Sequence, residues 1–466
     1  MARCVLDERA LSGLRPAVRA RDGVLDRRDG RELRARDSRA RSSRPRGLAR
    51  ERLGHPHRPR RRGRSLPRNR AVRLALLPCG VAASRLADRP GPVDLTDLTW
   101  ADARERRLAR SHLVTPAPKA RLIDVVRDVC GLQAQLLSAA ELALSARVVG
   151  ATQESVRDAL WVKKTLVRAW TVRGTIHVIP ADDLPLWMAA LGTRRYWESK
   201  EWLEREQLTA KDTRVIFDTV HDVLGENGST RAEIADAVVT RLGAKFRSKI
   251  SSGWGELLAP LMYMGKMCFG PSVGPNVTFV RADRWVPKWP RLDSEEAQRE
   301  LFLRFLRAYG PTTLDGMARW FGMKPAALLP HLRSLEPETA AVTIEGRKAW
   351  MLSRARNASE RRSSAVRLLA QYDCYVIGSH PRDTIVDEAA QTRIRSYKRG
   401  QWEGVVGVPV LLIDGIVRGV WDRRDRGGRI EIGVRPAGKL SSAHRRALEI
   451  EVERIGRFFG REATLT

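Results

Sequence analysis

The sequence predicts an α+β chain of several domains: three tandem winged-helix domains, then a small β-barrel-like domain, all behind a disordered N-terminal extension. Three observations predict it. The chain has 466 residues, and cores of roughly 100–200 residues imply two to four units. Helical apolar periodicity followed by a short β-branched hairpin recurs between about residues 95 and 360, the layout of a winged helix-turn-helix. From Leu368 the period becomes that of short strands. The boundaries read as 1–94 for the extension, then 95–204, 205–294 and 295–360 for the winged units, and 361–466 for the last domain.

The first 90 residues hold 26 Arg, no Lys and 9 acidic residues, a net charge of +17 out of +31 for the chain. They hold no aromatic residue, and all 13 Trp lie from Trp100 onward. Such a segment has little with which to build a core. It reads either as a basic arm that grips phosphates nonspecifically or as translated GC-rich sequence upstream of a misplaced start; Arg without Lys, amid much Ala, Gly and Pro, fits the second better. The rest of the chain keeps +14, which still favours an anionic partner.

The first unit opens with Thr99 as a helix cap before Trp100. Leu122, Val125, Val126 and Val129 form a stripe at helical spacing, and Gly131 ends that helix. A second helix is expected over about 138–149. The run 165–180 reads as a two-stranded ribbon broken at Arg173-Gly174-Thr175, and Asp182 as the cap of a helix carrying Leu184, Trp187, Met188 and Leu191.

In the second unit a helix over Val215–Leu224 stops at Gly225 and Asn227-Gly228, and Thr230-Arg-Ala-Glu233 is a capping box. Leu257, Leu258 and Leu261 suggest a third helix, and 266–281 a strand–loop–strand wing. The third unit carries a capping-box-like Thr312-Thr-Leu-Asp315, a stop at Gly322, Pro325 in a first helical turn, and a hairpin over 342–352. The last domain shows strands over 405–413, 416–421 and 430–434, a hairpin signal at Asp414-Gly415, and a final helix from about Ser441. The tryptophans read as core or interface residues.

Cys4, Cys79, Cys130, Cys268 and Cys374 are scattered without a CxxC pair or zinc spacing, which fits a reduced, cytoplasmic compartment. Asp373 and Asp383 are close enough in sequence to suggest a metal, but the further ligands are not evident. No metal or cofactor is expected. No apolar run reaches the ~18 residues of a membrane span, so no membrane partner is expected, and a monomer is.

The candidate site is Gly131-Leu-Gln-Ala-Gln135. Residues i and i+2 share a side only in extended chain, so a joint role for Gln133 and Gln135 requires the helix to break around Gly131–Gln135. The bland alternative is that the two amides cap backbone groups at the junction. Arg168 and Arg173, with Thr175 and His177 on the same ribbon, are candidate DNA contacts; Arg382 and Arg423 are further ones. His177 reads equally as a structural histidine.

Gly131-Leu-Gln-Ala-Gln135, Thr171-Val-Arg-Gly-Thr-Ile-His177, Val417-Arg-Gly-Val-Trp421 and Asp373-Cys-Tyr-Val-Ile-Gly378 together resemble the winged-helix family of AlkZ-type, or YcaQ-like, DNA glycosylases. The resemblance spans about 95–466 and does not reach residues 1–90. It implies three winged-helix units and a small β-barrel around duplex DNA, with removal of bulky or N7-alkylated purines and unhooking of interstrand crosslinks. The family signature is glutamine–apolar–glutamine, with aspartate last in some relatives; Gln135 places this sequence with the former. The ribbon at Thr171–His177 occupies the family's DNA-contacting position.

The chemistry fits mild catalysis. A cationic N7-alkylated purine leaves as a neutral base, so strong protonation is unnecessary. An amide is too weakly basic for general-base work near neutral pH but can position a water. Gln133 and Gln135 are therefore expected to act jointly in a monofunctional hydrolysis, with little activity on uracil. Alkylated or crosslinked double-stranded DNA is the expected partner. The alternative is a non-catalytic winged-helix DNA-binding or regulatory protein.

Overall fold

The computed structural model describes residues 97–466 except 226, 253–254, 256, 356–363 and 398–401. The expected extension over 1–94 lies outside the described residues. From Asp97 on, the described residues belong to one compact unit, an α+β fold with winged-helix-like regions and a curled half-barrel sheet.

Local chemistry sets the helix ends. Thr99, Thr209 and Thr230 each accept a hydrogen bond from the backbone N–H three residues on, and each is answered by an Asp or Glu there, which satisfies two otherwise orphaned donors. Gly322 ends the helix Leu314–Phe321 in the left-handed region at φ 66°, and Pro325 opens Pro325–Ser334. Asp182 does not cap the helix Leu184–Leu191. Its carboxylate takes the Arg127 guanidinium at 2.8 Å, and Asp183 takes both Arg127 and Arg304. Ion pairing has claimed a residue whose sequence position suggests a cap.

Strand pairing crosses the expected units. A six-stranded sheet runs, in order, through Leu132–Gln133, Ile176–Pro180, Leu166–Trp170, Met267–Val273, Asn276–Arg281 and Ser229–Thr230. The ribbon of the first unit and the wing of the second thus join, through the single register Arg168↔Phe269. Asp97–Leu98 pairs in parallel with Thr343–Ile344 of the third unit's hairpin. In the last region five strands follow one another in the order Val366–Leu369, Val410–Ile413, Ile416–Arg426, Arg429–Pro436 and Ala463–Leu465, an open curled sheet rather than a closed cylinder. The hairpin at Asp414-Gly415 has φ 51° and 79°, the twin positive angles of a type I′ turn.

The apolar cores ignore the same boundaries. Val125, Val126 and Leu144 from the first unit pack in one cluster with Leu368, Leu448, Val452 and Ile455. Arg147 and Asp373, both fully buried, meet across this seam in a two-point pair at 2.7 and 2.8 Å, and Asp373 also accepts from the Tyr375 N–H. Burial opposes the Arg147 charge, but Asp373 outweighs it and holds the guanidinium above its ordinary range. Asp373 is therefore committed to an arginine and a helix N-terminus, while Asp383 lies exposed; they do not form a metal pair. Among the described residues no helix is long and apolar enough to cross a membrane.

Candidate active site

The glutamine segment is extended as far as Ala134, and Gln135 stands in the bend that follows. The helix Leu122–Asp128 ends, Cys130 and Gly131 follow at φ 58° and 87°, and Leu132–Gln133 pairs antiparallel with Val178–His177. The Ala134 N–H continues the pairing to the Ile176 carbonyl at 2.7 Å. A β-carbon at Gly131 would stand 3.0 Å from Ile179 Cγ2 and 3.4 Å from the Val178 carbonyl, so this position needs glycine for both its angle and its clearance. Burial alternates along it: Leu132 and Ala134 are buried, Gln133 and Gln135 partly exposed.

Among the described residues neither glutamine side chain bonds to backbone. Gln133 Oε1 accepts from the Arg173 guanidinium at 3.0 Å. Gln135 Oε1 is buried with no hydrogen-bond partner among the described residues. A carbonyl left in that condition costs roughly 1–3 kcal/mol, so it is an acceptor held ready for something else. Capping does not account for either amide.

Two arginines hold the segment. Arg168, 7% exposed, donates through Nε and Nη2 to the Ala134 carbonyl at 3.1 and 2.9 Å, and through Nη2 to the Gln135 carbonyl at 3.3 Å. Its guanidinium also lies 4.6 Å from the centre of the Phe269 ring. Arg168 therefore turns inward, onto the main chain of the motif and not toward a surface phosphate. Burial lowers its pKa to about 10, leaving it charged.

Arg173 occupies the ribbon turn in the left-handed region, φ 60°. It donates to Gln133 Oε1, to the Trp320 carbonyl at 2.6 Å and to His177 Nε2 at 3.1 Å. A guanidinium only donates, so His177 Nε2 is an acceptor and Nδ1 carries the proton, facing Thr171 Oγ1 at 2.7 Å and the Thr175 carbonyl at 3.2 Å. Burial first, and the Arg173 charge second, depress the His177 pKa well below its usual value. His177, 2% exposed, thus acts as a neutral prop for Arg173. Thr175 Oγ1 closes the turn onto the Val172 carbonyl at 3.0 Å.

The remaining expected contacts lie apart from this chain of bonds. Arg423 sits over the Phe459 ring at 4.4 Å and pairs with Asp425 at 3.4 Å. Arg382 donates to the Ile377 and Ser379 carbonyls at 3.2 and 2.8 Å. The Trp320 carbonyl is a participant that residue types alone do not single out. Only the fold brings it 147 positions along the chain to Arg173.

Residues 126–458 match the DNA glycosylase AlkZ-like family. An interstrand DNA cross-link repair glycosylase of Streptomyces sahachiroi is 29% identical over 377 residues, covering 78% of this chain and 97% of that protein. The solved structure of the Streptomyces sahachiroi DNA glycosylase AlkZ aligns with a TM-score of 0.68 at 24% identity, over 80% of this chain and all of that one. The structural match is one of fold.

Proposed function

The chain belongs to the AlkZ-like DNA glycosylase family, and on that premise we propose that it hydrolyses the N-glycosidic bond of N7-alkylated purines in duplex DNA, interstrand crosslinks among them. The observation that carries the reading is the buried Oε1 of Gln135, unpartnered among the described residues and two residues along the chain from an amide that an arginine already holds.

The two amides have different work. Gln133 has given its oxygen to Arg173, and a guanidinium on the carbonyl polarises the amide, so its NH2 is the stronger donor. Gln135 keeps a free, desolvated oxygen and is the acceptor. A water between them would be gripped at both ends: its proton toward Gln135 Oε1, its oxygen toward Gln133 Nε2. Neither group removes that proton before attack, since an amide oxygen has negligible basicity; the glycosidic bond breaks with its electron pair going to the departing neutral base, the water oxygen bonds to C1′, and the proton is then lost to solvent. Placement supplies the acceleration. The substrate must therefore supply the weakened bond, as a cationic alkylated purine does by leaving neutral. The relative named for interstrand cross-link repair supports extending the reading to crosslinked purines.

Base release from duplex DNA carrying one N7-methylguanine tests this directly. Wild type should release the base and leave uracil untouched, and Gln133→Ala and Gln135→Ala should each be slower by on the order of 10²-fold, the scale of losing one positioned polar group at a reacting centre. Equal rates in wild type and both variants would remove the amides from the mechanism.

A further inference from the structure

A second group of polar side chains next to the amide pair is unexplained by the fold. The helix Leu314–Phe321 presents Gly316, Arg319 and, at its C-cap, Gly322 at intervals of three, and so along one side. At one end of that stripe a β-carbon on Gly316 would stand 3.4 Å from His380 Cβ; at the other, one on Gly322 would stand 3.1 Å from Arg173 Cα. Arg319 lies between them, one turn from each. Arg319 is exposed, and among the described residues it makes no hydrogen bond or ion pair; the His380 ring likewise has no hydrogen-bond partner. Arg382 has only the two carbonyls named above.

The electrostatics of the group are one-sided. The charges that act on Arg382 are Arg319, Arg173 and Arg107, and those that act on His380 are Arg382, Arg319 and Arg107, with no carboxylate among them. Burial, then these positive neighbours, lower Arg382 to about 9 and His380 to about 3. Arg107 is fully buried, gives Nε and Nη2 to the Tyr309 and Pro311 carbonyls, and among the described residues leaves Nη1 without a partner. A folded chain normally pairs such cations or neutralises them. Here three arginines, Arg319, Arg382 and Arg107, act beside Arg173, which already touches Gln133, and among the described residues none of the four is ion-paired with a carboxylate.

We propose that Arg319, Arg382 and His380, backed by Arg173 and Arg107, bind one backbone phosphate of the DNA strand beside the nucleotide whose base is released. The proposal rests on the glycosylase reading for the identity of that strand. It also resolves a difficulty in that reading: hydrolysis builds positive charge on the sugar, and an unneutralised arginine cluster beside it would oppose the reaction. A phosphate seated in the cluster cancels that field and orders the strand against the amides. The site should thus demand DNA and reject the free alkylated nucleoside.

The experiment replaces each phosphate around a single N7-methylguanine, in turn, by a neutral methylphosphonate. Kd and single-turnover base release are then read for wild type and Arg319→Ala. In wild type one replacement should weaken binding about tenfold and slow release. Arg319→Ala should weaken binding to the unmodified lesion duplex comparably, and the two losses should not add. On undamaged duplex, Arg319→Ala should reduce the slope of log K against log salt by about 1. No single sensitive phosphate, fully additive losses, or an unchanged salt slope would overturn the proposal. Arg319 is exposed, so the variant should melt with wild type; Arg319→Gln serves as a second substitution if it does not. The salt slope needs no catalysis. A wild type that binds but releases no base therefore counts against the glycosylase reading, while the slope still decides the phosphate site.

Discussion

Arg147 is fully buried and Arg173 partly so, and they are held in opposite ways. Arg147 faces a carboxylate at two points, inside a fully buried pair that joins the first unit to the C-terminal sheet. Arg173 faces an amide oxygen, a main-chain carbonyl and a neutral histidine, and its charge is left uncancelled. The first arrangement is closed in charge: guanidinium and carboxylate cancel each other, although Nε finds no partner among the described residues, and its output is the relative placement of two segments. The second keeps a net positive charge next to Gln133, where an anionic polymer has something to gain by arriving. The two differ less in being enclosed than in the character of their acceptors, a carboxylate for one and neutral groups for the other.

The comparison breaks most readily at the closed end. Asp373→Ala should cost about 3–5 kcal/mol of stability, because it strands a buried guanidinium, and a urea titration should show the midpoint fall. If Asp373→Ala and Arg173→Ala lowered stability alike, the distinction would collapse. Arg173→Ala should instead act on function, slowing base release about 10²-fold, some 2.7 kcal/mol of barrier, as Gln133 loses its orienting partner. Next in size is the asymmetry of the amides. Gln135→Glu keeps an acceptor and should retain activity, whereas Gln133→Glu loses the donor and ties itself to Arg173. We expect at least about a tenfold difference in favour of Gln135→Glu, read as single-turnover rates; the reverse order would exchange the two roles.

The smallest effect is on pH. His177 and His380 have folded pKa values below the ordinary histidine value of 6.5. Below pH 6.5 the unfolded chain takes up protons that the folded chain does not, so their contribution to stability is present above that pH and declines as the pH falls, for His380 down to about 3. His380→Asn should make the fall in Tm between pH 6.5 and 5 shallower than in wild type, and identical slopes would show that His380 does not contribute.

How much of this was legible depends on range. Interactions confined to a few residues were readable: the Thr230–Glu233 box, the Asp414-Gly415 turn, the stop at Gly322 and the start after Ser441 all stand where their side-chain chemistry puts them. The break after Gly131 was readable for the same reason. What the sequence could not convey is pairing between distant segments. Nothing in Arg168 announces Phe269 as its neighbour, and nothing in Asp97–Leu98 announces the hairpin at Thr343–Ile344. Side-chain direction was likewise hidden. Arg168 stands in a ribbon of the kind that meets phosphates, yet it turns inward because two main-chain carbonyls of the glutamine segment lie within reach. Asp182 reads as a cap until Arg127, 55 residues earlier, arrives beside it.

The grip of Arg168 has an evolutionary consequence. It clasps the carbonyls of Ala134 and Gln135, groups that every amino acid possesses. The shape of the loop is therefore indifferent to which side chains it displays at 133 and 135, while buried Ala134 restricts only the volume between them. Scaffold and reagent are uncoupled here. A lineage can change the side chains at 133 and 135 by single substitutions without first having to rebuild the platform that carries them.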